Sequence, residues 1–241
     1  MKFKIILTAF LLAAPCLNAG IDSWISSILP EKMRACESMR SSIYTATNHL
    51  KIKKPVFVMH ESLEEKTLAQ AENYLPFSII KVDNDAIARQ SDEIKRNTGY
   101  HEVGHVLHNH RAIDNTLAQI STPSYVLAML TPFMYRYALT PLRRSALLAT
   151  SAISLLGAII AHNHVPDYKE STVRKHELQA DAVAFSLTAA LHGSAPLEDT
   201  LAFNEQVAAI NGLDFRNRSE VHPTVGEEIV MIRATLDKNA V

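Results

Sequence analysis

The chain is poor in cysteine and has almost no net charge. Its 241 residues include two cysteines, 24 basic side chains and 25 acidic side chains. The near-neutral balance argues against nucleic acid as the main partner, and two cysteines exclude a disulfide framework. No internal repeat or low-complexity tract is visible. The hydrophobic fraction of 47% and the length suit one globular domain with an embellishment.

The first nineteen residues have the layout of a secretory signal peptide. Two lysines precede the apolar run IILTAFLLAA, and small residues follow, with Ala19 as the preferred cleavage position. Two alternatives stay open: an uncleaved membrane anchor, and a lipid-modified Cys16. All three place the single domain, residues 20–241, outside the cytoplasm, in the periplasm or an equivalent extracytoplasmic space.

Hydrophobic periodicity predicts a mainly α fold with a small β-sheet, an α+β class. The predicted helices are Glu31–His49, Glu61–Tyr74, Ser91–Arg111, Ser171–Leu191, Leu197–Asn211 and Val225–Leu236. The predicted strands are Pro55–His60 and Phe77–Val82.

The segment 115–161 is a hydrophobic helical insertion. It holds two uncharged runs separated by Arg136, Arg143 and Arg144. The second run, Ser145–Ala161, is at the short limit for crossing a bilayer. Three interpretations fit the segment: a membrane-spanning hairpin, helices lying on a membrane surface, or buried core helices.

The run HEVGH, His101 to His105, predicts a metal site on a helix. Residues four apart lie on one helical face, so both imidazoles can bind one cation. Glu102 projects from the neighbouring face and is placed to act as a general base toward a metal-bound water. Until a third ligand is identified, a solvated polar helix face remains the alternative.

Gly104 lies between the two histidines and is unfavourable in a helix interior by about 1 kcal/mol relative to alanine. Close approach of another backbone behind the metal ligands would account for it; chance occurrence is the alternative.

The third ligand is expected in RKHELQADAVAF, where Glu177 and Asp181 are again one helical turn apart. A catalytic zinc ion takes three protein ligands, and Glu177 can complete the set. Asp181 can accept the remaining ring N–H of a ligating histidine and thereby fix its tautomer. His176 is a rival ligand, but it faces a different direction from Asp181 on the helix.

HEVGHVLHNH, then ELQAD, then VHP near the C-terminus together resemble the zinc metallopeptidases typified by HtpX and the CAAX prenyl endopeptidase. This gluzincin family, metallopeptidase family forty-eight, implies that His101, His105 and Glu177 bind one Zn²⁺ and that Glu102 is catalytic. The resemblance makes Asp181 the supporting carboxylate. It also matches His110 to a recurrent histidine whose role is less clear, with His108 as a surface residue beside it.

The resemblance carries three further expectations. His222 would lie over the open zinc position, as an oxyanion donor or as a removable latch; Glu228 stands where the family often has arginine, with Arg233 one turn further on. The hydrophobic insertion would be membrane-associated. An extended substrate would pair with an edge strand beside the metal-site helix, the role expected of FSIIKV, Phe77–Val82.

The sequence therefore predicts an extracytoplasmic zinc metalloendopeptidase that acts on misfolded or membrane-associated proteins in envelope quality control. The alternative is a zinc-stabilised chaperone or assembly factor with latent or secondary proteolysis. Protein or peptide substrates are the expected partners, together with a membrane surface and no nucleic acid.

Overall fold

The computed structural model of the chain describes residues 35–63, 67–75, 77–116, 127, 130, 131, 135, 140–163, 170–216 and 222–239. The expected signal segment 1–19 and most of the first uncharged run lie outside the described residues.

Helices make up most of the described structure, which confirms the prediction of a mainly α class with a small sheet. The helices are α1 (Glu37–His49), α2 (Asn84–Ala88), α3 (Asp92–Leu107), α4 (Pro141–Asn163), α5 (Glu170–His192), α6 (Ala195–Asn211) and α7 (Val225–Asn239).

The sheet has three strands in the order β1-β3-β2: β1 (Val56–His60), β2 (Ala69–Asn73) and β3 (Ser78–Val82). β3 pairs in parallel with β1 and antiparallel with β2. The prediction of a helix over Glu61–Tyr74 is therefore wrong. AQAEN is made of good helix formers, but its pairing with β3 outweighs this weak local preference.

The strand Phe77–Val82, expected at the sheet edge, lies instead in the centre. β3 is hydrogen-bonded on both sides, so it offers no free edge to a substrate. The strand beside α3 is β2, and its position makes it an edge strand among the described residues.

The main core lies between the sheet, α1, α3 and α5. Met39 and Ile43 of α1 are fully buried, as are Ile80 of β3 and Val103 of α3, and Leu187 of α5 is almost so. These contacts fix α3 between the sheet and α5.

α3 begins as the sequence predicts and ends earlier. The hydroxyl of Ser91 accepts a hydrogen bond from the backbone N–H of Ile94, which caps the helix. The helix stops at Leu107 rather than near Arg111, because Asn109 and Arg111 adopt left-handed backbone conformations with φ of 53° and 56°. His110 therefore lies in a loop and not on the helix.

α4 contains the whole of the second uncharged run, Ser145–Ala161. Several of its large apolar side chains are exposed, including Leu142, Leu148, Ile153 and Leu156. Within the described ranges, none of the helices has the length and hydropathy needed to span a bilayer.

Candidate metal centre

Two helices supply the predicted metal ligands, and they approach each other closely at Gly104. A Cβ atom placed on Gly104 would lie 2.7 Å from the Cα of Ala180 and 2.8 Å from its carbonyl oxygen. Only glycine leaves room for the α5 backbone at this point. The close-approach explanation of Gly104 is therefore the one that the geometry supports.

The close packing brings His101 and His105 of α3 next to Glu177 of α5. The Nε2 atoms of the two histidines are 3.1 Å apart. Glu177 Oε2 lies 3.2 Å from Nε2 of His101, and Oε1 lies 3.6 Å from Nε2 of His105. One donor atom from each residue lies within 4.8 Å of the other two, an arrangement in which all three can bind one cation.

Asp181 lies behind His101, one turn of α5 beyond Glu177. Its Oδ1 atom is 2.6 Å from Nδ1 of His101, on the side of the ring opposite Nε2. Burial alone would lower the pKa of His101, but the carboxylates of Asp181 and Glu177 outweigh it and raise that pKa to about 10. Burial would raise the pKa of Glu177, yet contact with the two histidines holds it well below its usual range.

Glu102 is buried beside the ligands and contacts the edge strand. Its Oε2 atom accepts a 2.6 Å hydrogen bond from the backbone N–H of Ala71 in β2. This contact links the predicted general base to the one strand that the sequence had assigned to a helix.

His222 lies against the same centre from the C-terminal side. Its Nδ1 atom is 3.3 Å from Glu177 Oε2, and its ring centroid is 6.4 Å from that of His101. Glu228 accepts a 2.9 Å hydrogen bond from Asn204. Arg233 pairs with Glu205 at the surface, so it does not take the place of the missing arginine.

A cavity of about 370 Å³ opens beside the centre. Its wall includes His101, Glu102 and His222, together with the side chains of Asn97, Phe185 and Glu228. The space is large enough to receive a substrate side chain.

His105 has partners that sequence reasoning did not assign. Its Nδ1 atom is 2.8 Å from Nδ1 of His110, and Nε2 of His110 is 3.0 Å from Oε1 of Gln179. His176, the rival ligand, stacks on His110 with centroids 4.0 Å apart and lies outside the triad. His108 is exposed, as expected, and also stacks on His110.

Asn73 of β2 is a further residue without a sequence signal. Its side-chain amide donates to the backbone carbonyls of His105 and His110, and its Oδ1 atom accepts from Lys54 and Ser78. Asn73 is 1% exposed, and its bonds to His110 and Ser78 are buried, whereas those to His105 and Lys54 are partly buried. An asparagine at the end of an edge strand gives no hint of this role in the sequence.

The sequence model of Peptidase family M48 matches residues 92–230, which is more than half of the chain and contains α3, α5 and His222. The chain belongs to Peptidase family M48. No curated protein and no solved structure matches it. The M48 peptidases are metallopeptidases and therefore hydrolases. The match confirms the predicted family and the general class of enzyme.

The ligand set fits the zinc ion of M48 peptidases. Two imidazole nitrogens and one carboxylate are a donor set found in catalytic zinc sites, which keep one further position open. The buried Asp181 carboxylate behind His101 is the supporting group that such ligands commonly have.

Proposed function

We propose that this M48 protein is a zinc-dependent endopeptidase. In this proposal His101, His105 and Glu177 bind the metal, and Glu102 is the general base. The observation that carries it is the convergence of the three donor atoms within 4.8 Å, with the buried Glu102 carboxylate next to them.

Each side chain has a distinct task in this proposal. When bound, zinc acidifies a water molecule and polarises the peptide carbonyl. Glu102 would accept a proton from that water as the water oxygen bonds to the carbonyl carbon, and would pass the proton to the amine nitrogen as the C–N bond breaks. Asp181 would hold His101 with Nε2 toward the metal, because its carboxylate accepts a hydrogen bond from the Nδ1–H group of the ring.

Replacement of Glu102 by glutamine tests the proposal. The amide keeps the shape of the side chain but cannot accept the proton, so cleavage of casein should fall by at least 100-fold. Zinc content should stay at one ion per chain. Glu93→Gln is the matched control, because Glu93 is an exposed carboxylate at the start of the same helix. Full activity in Glu102→Gln would refute the assignment.

A second candidate is an assembly factor whose proteolysis is latent. The position of His222 favours it, since Nδ1 lies 3.3 Å from the proposed ligand Glu177 and the ring can cover the open metal position. If His222 is a latch, His222→Ala should raise activity. If it is an oxyanion donor, the same change should lower kcat by about 100-fold. An assembly factor is favoured if Glu102→Gln complements a deletion strain as well as the wild-type chain does.

The substrate is proposed to pair with β2 as an extended strand. Leu68 and Tyr74 form backbone hydrogen bonds with the β3 side of the sheet. Because backbone groups alternate in direction along an antiparallel strand, the N–H and C=O groups of Ala69, Ala71 and Asn73 point away from β3. The Ala71–Glu102 hydrogen bond is on that side, next to the metal ligands. Peptides with N-methyl groups at alternate backbone positions test the pairing: one register should lose binding and the other should keep it.

We also propose that the domain acts outside the cytoplasm, on misfolded or membrane-associated proteins in envelope quality control. The support is the signal-like segment 1–19 and the exposed apolar side chains of α4. The insertion 115–161 would then contact the membrane. Ile153→Ser should weaken sedimentation with lipid vesicles, whereas Ala152→Ser, an exposed position on the same helix, should not. N-terminal sequencing of the exported protein would identify cleavage after Ala19.

A further inference from the structure

The two histidines of the proposed metal site are supported in different ways. His101 is backed by a buried carboxylate, Asp181, at 2.6 Å. His105 is backed by an imidazole, His110, at 2.8 Å, which in turn contacts the amide of Gln179 at 3.0 Å. One ligand is therefore coupled to a negative charge, and the other is coupled to two neutral groups.

The positions of the hydrogen atoms on His105 and His110 follow from the groups at the two ends of the series His105–His110–Gln179. When Nε2 of His105 binds the proposed cation through its lone pair, the hydrogen of the neutral ring lies on Nδ1, which donates it to Nδ1 of His110. His110 then carries its own hydrogen on Nε2 and donates it to Oε1 of Gln179. Each polar atom in the hydrogen-bonded series His105–His110–Gln179 is then either a donor or an acceptor, and the three side chains together carry no net charge.

The backbone after α3 is bent to bring His110 into this position. Among the described residues, three non-glycine residues have positive φ, and two of them, Asn109 and Arg111, flank His110. The side chain of Asn73 donates to the carbonyl of His110 and holds the loop against β2. Lys54 donates to Asn109 and fixes the first of the two bends. Unfavourable backbone conformations of this kind are retained where the surrounding structure enforces them, often at functional sites.

The loop buries His110, which is 8% exposed, beneath His105. Filling this space would not require a histidine. The imidazole instead forms a hydrogen bond at each of its two ring nitrogens. The geometry thus uses the imidazole as a connector between the ligand and Gln179.

We propose that His110 and Gln179 are positioning residues that fix the tautomer of His105 and keep it a weaker electron donor than His101. The inference rests on the proposed metal site and deepens it. A neutral acceptor attracts the Nδ1 hydrogen of His105 less strongly than a carboxylate would. The imidazole of His105 is therefore less basic and donates less electron density to the cation. The bound cation is then the stronger Lewis acid.

Two substitutions of Gln179 should change the zinc affinity in opposite directions. Gln179→Glu keeps the acceptor and adds a negative charge, so zinc affinity should rise by about 10-fold and the acidic limb of the pH–activity profile should move to higher pH. Gln179→Leu removes the acceptor, so zinc affinity should fall by about 10-fold. Affinity is measured by competition with a chromophoric chelator for Zn²⁺.

His110→Ala should weaken zinc binding by about 10–100-fold. His108→Ala is the matched control, because it removes a neighbouring imidazole that stacks on His110 from an exposed position. Its affinity should equal that of the wild-type chain. The melting temperature of each metal-free variant identifies any loss of fold, and the two Gln179 variants keep the test decisive if His110→Ala does not fold.

Equal losses of affinity in Gln179→Glu and Gln179→Leu would overturn the proposal, because Gln179 would then have only a packing role. Unchanged affinity in all of the variants would overturn it as well. If the wild-type chain binds zinc and Glu102→Gln is inactive, either result counts only against the positioning role of His110 and Gln179. A wild-type chain that binds no zinc would overturn the proposed function along with it.

Discussion

Gly104→Ala should disable the metal site while leaving most of the fold in place. A Cβ atom at this position would lie 2.7 Å from the Cα of Ala180, whereas ordinary contacts begin at 3.4 Å. The backbones of α3 and α5 must therefore separate by about 0.7 Å, the difference between these two distances. Metal–ligand distances tolerate deviations of only about 0.2 Å, so Glu177 can no longer complete the site without strain.

Two opposing effects set the change in the unfolding free energy. Alanine improves helix propensity by about 1 kcal/mol, and overpacking costs about 1–3 kcal/mol. The net destabilisation should be about 0–2 kcal/mol, which a folded domain can tolerate. Zinc affinity, in contrast, should fall by at least about 10-fold.

Chelator competition and thermal unfolding together measure both effects. Gly99→Ala is a control on the same helix, where the three nearest atoms belong to side chains rather than to a backbone and the first is Cγ1 of Ile43 at 3.3 Å. Gly157→Ala is a control in a helix where the added methyl group has no neighbour within 4 Å. Both should keep wild-type zinc affinity. A folded Gly104→Ala protein with unchanged affinity would refute the reasoning.

Three further changes have defined outcomes. Asp181→Asn should weaken zinc binding by about 10–100-fold in calorimetry, because a neutral amide supports His101 less than a carboxylate does; unchanged binding would contradict this role. Asn73→Ala should lower the unfolding free energy in urea by about 2–4 kcal/mol, because it removes the partner of the buried His110 carbonyl and of the buried Ser78 hydroxyl, whereas the exposed Gln70→Ala on the same strand should have little effect. Burial lowers the pKa of Lys54 from 10.5 to about 8. The unfolded chain therefore binds more protons between these values, and the stability of the wild-type chain relative to Lys54→Gln should rise from pH 8 to pH 10; a constant difference would refute this.

The sequence was sufficient for the parts of the site that depend on helical periodicity. The spacing of His101 and His105, and of Glu177 and Asp181, places each pair on one helical face. Gly104 indicated that another backbone lies close, and Ala180 of α5 is that backbone. These predictions needed only local geometry and the donor chemistry of metal sites.

The remaining parts depend on contacts between distant segments. AQAEN has helix-forming composition, and only its pairing with β3 makes it β2. His110 was placed on the helix because the sequence does not show that Asn109 is left-handed, although asparagine tolerates that conformation better than most residues. Gln179 contacts His110 across 69 positions, so its role could not be predicted from local pattern.

If a peptide pairs with β2 as proposed, the hydrogen bond from Ala71 to Glu102 would link occupancy of the cleft to the state of the proposed general base. A peptide that joins β2 competes for the Ala71 N–H with its own carbonyl oxygen. Glu102 then loses that donor, and the released carboxylate oxygen can turn to take a proton. In the proposed enzyme, the strand that would receive the peptide also holds the Glu102 carboxylate while the cleft is empty, so a bound peptide would free the proposed general base.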